Sequence, residues 1–449
     1  MTTARPDIAP AEPWAFPIPR ETLLDNGIRL LTYDIPGQYV VSVRVAVPTP
    51  LTAEPRQLEG IATIMARLLD EGTARHTPEE FAELLERKGI GLGAGMTESA
   101  VIAELDVAAR HLGDALDLLR QMLAEPAFPE AEVRRAVATR KAEIEQERAS
   151  APHRAGREFV ATFYDSAERA SRPTGGRVDT VAAITRDDVV AFHAAHIGPR
   201  GSTVVVAGDF TGLDVPALVE ETLGAWSVPD QAPAAAPVRA RRAVDAARVV
   251  AVDRPGSVQS EFAIGWSGPD RHTDLGWAAY QVLSFVIGGS PTARVDAVLR
   301  EDKGYTYGIR SAFRPRRVGG TFVTSGSVRT EVTVDALRLL LDILDRTREG
   351  FTVEEVRDGV DFISKTAPGR YATADAVAGE AATLALDGLP LDFTTTNLQR
   401  MAELTPEDLH AAVNAVVTGE WTVVVVGDAT AWLDGIRDLD RGEVTVVPN

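Results

Sequence analysis

The sequence predicts an α+β protein of two homologous halves, each a mixed, mainly antiparallel sheet with helices on one face, and three observations carry that prediction. Runs with the two-residue period of strands alternate with runs at helical spacing along the whole chain. A Pro/Ala-rich stretch without apolar periodicity interrupts them near the middle. The segments on its two sides repeat one another at an offset of 219 to 220 residues, Thr203 matching Thr422 and Ile184 matching Leu404.

Taken in order, Met1 to Pro19 is rich in Pro and Ala, lacks an apolar core behind a basic start, and reads as an N-terminal extension (1–19) rather than a signal peptide. Glu21 to Val47 holds Asn26-Gly27 between β-rich runs and alternates cleanly at Val41, Val43, Val45 and Val47, which predicts an edge hairpin feeding a sheet. Helical spacing follows from Gly60 to Gly72 and from Thr77 to Gly89, the second opened by Thr77-Pro78-Glu79-Glu80, a cap with proline in the first turn. After an alternating stretch at Ala100 to Val107 come helical patterns at Leu112 to Leu123 and Glu130 to Glu147, then a polar, Arg-rich passage to about Thr174. A helix at Arg186 to Ala195, a β-run at Ser202 to Val206 ending in Gly208-Asp209, and a helix through Leu218 to Leu223 close the first half.

The expected division is therefore a first domain at 20–228, a linker at 229–245 and a second domain at 246–449. Across it, Thr405-Pro406-Glu407-Asp408 leading to Val423-Val424-Val425-Val426-Gly427-Asp428 parallels Thr185-Arg186-Asp187-Asp188 leading to Val204-Val205-Val206-Ala207-Gly208-Asp209. So long an offset means a duplicated domain and not an array of small repeats.

Composition narrows the function. Hydrophobic residues make up 45% and charged residues 25% of the chain, the balance of a packed globular protein. With 65 acidic against 46 basic residues the formal charge is -19, so nucleic acid and anionic membrane surfaces are not expected partners; the acidic surface reads first as a solubility device and second as an attractor of cationic peptides. The chain has no cysteine, which removes disulfides, thiolate metal sites and thiol nucleophiles together. No apolar run is read as a membrane span, and cytoplasmic residence is the expectation.

In the second half, Phe285-Val286-Ile287-Gly288-Gly289 precedes Ala293-Arg294-Val295 and then Leu299-Arg300-Glu301-Asp302-Lys303-Gly304-Tyr305-Thr306-Tyr307. This order resembles the signature of the second domain of the pitrilysin/insulinase-like (M16) peptidases. The strand ending in Gly-Asp that closes each half fits that family as well, so the resemblance runs from about Pro19 to Val447. It implies the M16 fold.

Active members of the family hold zinc with HxxEH on a helix, two imidazoles one turn apart and a glutamate as base, completed by a downstream glutamate. The resemblance places the histidines on Thr63 and Arg67 and the glutamate on Ala66, so all three are replaced. The downstream carboxylate remains at Glu143, where it is expected to pair with Arg67 instead of metal. His193 and His196 share a helix face without a carboxylate at ligand spacing, and His76, His111, His153, His272 and His410 stand singly.

The same resemblance implies substrate-binding roles for Arg300 and Tyr307, whose guanidinium and phenol would orient a peptide and stabilise charge on its carbonyl. It implies further that the chain has no catalytic residue and no cofactor of its own, and that zinc sits in an HxxEH-bearing partner with which it forms a heterodimer acting on peptides. The alternative of another class is a catalytically inert scaffold or peptide-binding protein. A serine or threonine nucleophile has little support, since no Gly-x-Ser-x-Gly elbow is present.

Overall fold

The computed structural model describes residues 13–243, 248–417 and 421–449. The first twelve residues of the expected extension and the expected boundary at 245/246 lie outside these.

The first half forms a six-stranded sheet in the order β1 (Arg20–Leu23), β2 (Arg29–Asp34), β6 (Thr203–Gly208), β3 (Val40–Pro48), β5 (Ala100–Ala108) and β4 (Gly91–Met96). The second forms β12 (Glu443–Pro448), β7 (Arg248–Asp253), β11 (Thr422–Gly427), β8 (Gln259–Gly268), β10 (Gly320–Arg329) and β9 (Ile309–Pro315). Five strands occupy equivalent places in the two sheets, and only the outermost differs: β1 runs antiparallel to β2, whereas β12 runs parallel to β7. Within each sheet the closing strand of the half lies parallel to its first long strand, as Leu31 beside Val205 and Val250 beside Val424. The hairpin expected over Glu21 to Val47 is realised only as β1–β2, because β6 inserts between β2 and β3.

The closing strands explain their own runs of valine. In β6, Val204 and Val206 face the helices of their own half, while Val205 and Ala207 face the helix Ala374–Asp387 of the other half. In β11, Val423 and Val425 face inward, and Val424 and Val426 meet the helix Ala151–Phe163 from the first half. Each sheet thus has both faces buried, and a strand buried on both faces reads as a continuous apolar run.

The helix Ala151–Phe163 corrects the reading of that region as a polar, Arg-rich passage. Its apolar residues Ala155, Phe159 and Phe163 recur every four positions and are buried against β7, β8, β10 and β11, so the arginines occupy the remaining faces of a real helix. The reciprocal helix uses small side chains, Ala374, Ala378, Ala381 and Ala382, which let it lie close on β6. The described part of the extension is packed too: Trp14 stacks on Tyr371 and Phe16 meets Tyr33 edge-on.

Helix caps repeat with the duplication. The backbone N–H of Asp188 donates to Thr185 at 3.2 Å and that of Thr185 to the Asp188 carboxylate at 2.9 Å, and Thr405 and Asp408 form the same box at the same distances. The helical stretch Trp277–Asp302 is long and apolar enough to cross a membrane, contrary to the absence of such a run expected from sequence. It is instead kinked at Gly288 and packs Trp277, Tyr280, Leu283, Ile287 and Val295 into the second core.

Candidate functional site

The helix carrying Thr63, Ala66 and Arg67 spans Ile61–Arg67, shorter than the expected Gly60 to Gly72. It starts from Gly60, whose φ of 102° favours glycine and where a side chain would collide with the Gly175 carbonyl. The buried Glu54 carboxylate accepts the N–H groups of Gly60 and Ala62 at 3.0 and 3.1 Å and receives Arg169 at 2.8 Å. Burial pushes this carboxyl up despite Arg169. The start of the helix is therefore pinned by a buried ion pair.

On that helix Thr63 and Arg67 lie one turn apart on one face, with Ala66 fully buried beside them. Arg67 donates to both carboxylate oxygens of Glu143, 2.8 Å from each, and Arg140 donates to Glu143 at 3.0 Å and to Glu147 at 2.7 Å. Burial raises the Glu143 carboxyl, but the hydrogen bonds from Arg140 and Arg67 outweigh it and hold the group below the usual carboxylate range. A hydroxyl, a methyl and a guanidinium supply no imidazole, and the remaining carboxylate already faces two cations. These donors do not fit zinc. Among the described residues no group of three or more His, Asp or Glu could hold a metal ion.

His193 donates from Nε2 to the Leu123 carbonyl, 2.9 Å away, and sits edge-on to Phe128, while His196 packs on Phe192. Burial lowers both, which suits neutral packing residues.

Between the halves open two cavities that share Glu98, Ser99, Pro315, Arg316 and Arg317 as wall residues. One, of about 950 Å³, is floored by β4 and faced by the helix Ala374–Asp387. The other, of about 700 Å³, lies over β8 and β10 beside the helix Ala151–Phe163. Arg316 pairs with Glu98 of the first half and lies 5.0 Å over the Tyr164 ring, and Arg44 of β3 pairs with Asp375. These contacts tie the halves around the space.

β4 is an edge strand, so one side of its backbone is unpaired and can take a further strand. Its sequence Gly-Leu-Gly-Ala-Gly-Met puts Leu92, Ala94 and Met96 against the core and leaves bare glycines alternating with them, Gly93 and Gly95 having open space where a side chain would stand. This edge was not singled out from sequence, although the every-second glycine is its signal.

Arg300 lies in the last helical turn before the Gly304 loop and approaches its neighbour Glu301 at 3.4 Å. Tyr307 is 96% exposed in the loop before β9. The nearby Tyr305 differs: its hydroxyl donates to Asp335 at 2.8 Å. The structure brings Arg67 and Glu143 together, but neither Arg300 nor Tyr307 lines the two cavities.

Comparison with known proteins points to one family and fold. Residues 29–174 match the family described as Insulinase (Peptidase family M16), and residues 183–361 match the Peptidase M16 inactive domain. An uncharacterized zinc protease of Mycobacterium tuberculosis is 26% identical over 354 residues, 78% of this chain and 80% of its own. The non-peptidase homolog YmxG of Helicobacter pylori is 21% identical over 79% of this chain and 81% of its own. The crystal structure of a peptidase M16 inactive domain from Pseudomonas fluorescens superposes with a TM-score of 0.84 at 21% identity, covering 91% of this chain and 97% of that one.

Proposed function

Because the chain belongs to peptidase family M16 and carries its inactive-domain fold, we propose that it is the non-metal subunit of a two-chain zinc peptidase, paired with an HxxEH-bearing chain that supplies the zinc and the general base. The observation that carries this reading is that Arg67, on the helix where zinc ligands would stand, donates from one guanidinium nitrogen to both oxygens of Glu143. In this role the chain positions peptide. The open edge of β4 supports an extended substrate bound by main-chain hydrogen bonds. Arg300 and Tyr307 would act on substrate held at the partner's zinc, and the full exposure of Tyr307 suits a side chain that reaches outside its own chain.

A second reading, an inert scaffold or peptide-binding protein, is favoured by the absence of Arg300 and Tyr307 from the cavity walls. A mixing assay separates the two. This chain, an HxxEH chain encoded beside it, and both together are tested on a quenched peptide library with zinc and with chelator. Cleavage only in the mixture, lost on replacing Arg300 and Tyr307, supports the subunit role. Metal-dependent cleavage by this chain alone refutes it, as does a partner equally active alone. Cleavage in the mixture that survives both replacements refutes the role of the pair.

A further inference from the structure

Glu261 lies on β8 on the face turned away from its own helices, since Phe262 and Ile264 point into the second core and Ala263 packs with the helix Ala151–Phe163. Its cross-strand neighbours are Ser327 on β10 and Val426 on β11, neither of them charged. The side chain is 8% exposed, lines the cavity of about 700 Å³, and makes no hydrogen bond or ion pair among the described residues. Burial alone pushes its carboxyl up to about 7. A buried carboxylate without a partner is a standing cost that a fold removes unless something else meets it.

The surroundings say what would meet it. Six arginines line this cavity, and none of them pairs with Glu261. Arg314, Arg316 and Arg317 cluster at the other end of the β9–β10 hairpin, where Arg314 pairs across to Thr321, six residues along β10 from Ser327 and so about 20 Å away. Arg169 is engaged by Glu54 and Arg172 by Glu59. Arg157 also borders the small neighbouring cavity with Arg140, Arg148 and Arg154 and forms no ion pair with Glu261. Leu51, Phe159, Val160 and Val323 give this otherwise charged cavity a stretch of apolar wall. Apolar wall beside a carboxylate that no cation of the cavity meets matches a side chain with an aliphatic stem and a cationic head. One carboxylate alone is a poor metal site. The net charge of -19 favours cationic ligands at longer range.

We propose that Glu261 is the recognition residue of a subsite in the inter-half cavity that takes a lysine or arginine side chain of a bound extended peptide. This rests on the reading of the space between the halves as peptide-binding. The ammonium or guanidinium would pair with the Glu261 carboxylate while its methylenes lie along Phe159 and Val160.

The test is calorimetric titration of the full chain at pH 8 with two extended Ala/Ser peptides identical except for a central lysine or its uncharged isostere norleucine. The expected result is a preference of about tenfold or more for lysine, lost in Glu261→Gln, which removes the charge at nearly constant shape. Equal affinities in the parent chain overturn the subsite without recourse to any variant, and so does a lysine preference that survives in Glu261→Gln. Binding of neither peptide overturns the peptide-binding reading itself, and the subsite with it.

Discussion

Arg67 and Glu143 face each other across two elements of the first half, one guanidinium nitrogen 2.8 Å from each carboxylate oxygen. The pair occupies the geometry a metal would need, one carboxylate aimed at a helix face bearing residues one turn apart.

Restoring imidazoles at those positions is therefore expected to restore metal affinity. In Thr63→His/Arg67→His, two imidazoles spaced by one turn and the freed Glu143 make a His₂Glu set. Zinc titration of the double variant should show stoichiometric binding, and Arg67→His alone should bind far more weakly. No gain in the double variant would mean that Arg140, which also donates to Glu143, keeps the carboxylate from turning.

The ion pair beneath that helix is a different matter, because Arg169 and Glu54 are both buried, at 6% and 0% exposure. Arg169→Met would strand the Glu54 charge, and breaking a buried pair from one side costs about 3–5 kcal/mol. Urea denaturation should show a loss of that order. Adding Glu54→Gln should recover part of it, since the amide oxygen still accepts the N–H groups of Gly60 and Ala62.

What the sequence made legible follows from locality. The repeated Thr-x-x-Asp boxes and the valine runs ending in Gly-Asp depend on a few neighbouring residues, so the duplication and both closing strands could be read directly. The helix Ala151–Phe163 could not, because its apolar face is satisfied by the other half's sheet and its arginines dominate the local composition. Glu261 was invisible for the same reason: among Gln259, Ser260 and Phe262 it reads as an outward strand residue, and only the packing of the halves buries it. The bearing of Thr63, Ala66 and Arg67 on metal came from family resemblance, since by spacing alone they are ordinary helix residues.

The reciprocal helices make the halves depend on one another. Phe159, 3% exposed, lies on Gly265, where even a methyl group would come within 2.7 Å of the ring, and it stacks on Phe163 at 5.4 Å. Phe159→Ala should lower stability by about 3–5 kcal/mol. Because each half's sheet is covered by a helix of the other half, circular dichroism and tryptophan fluorescence should still report one coincident unfolding transition. Two separated transitions would show that the halves fold independently.

The buried Glu261 predicts a pH dependence of stability with a definite sign. Its folded-state value of about 7 lies above the ordinary 4.5, so the folded chain holds the proton more tightly than the unfolded chain. Stability attributable to this group is then undiminished below about pH 4.5, falls as pH rises toward 7, and stays low above it. The lost amount is roughly 3 kcal/mol. The groups beside it, Ser325 and Ser327 on β10 and Val426 on β11, do not titrate in that range, and no neighbouring charge contributes to the shift. Glu261→Gln should therefore melt higher than the parent at pH 8, with the difference shrinking toward zero at pH 5. Histidines and other carboxylates cancel in that comparison, because they are common to both chains. A melting difference independent of pH would mean that Glu261 stays ionised in the folded protein.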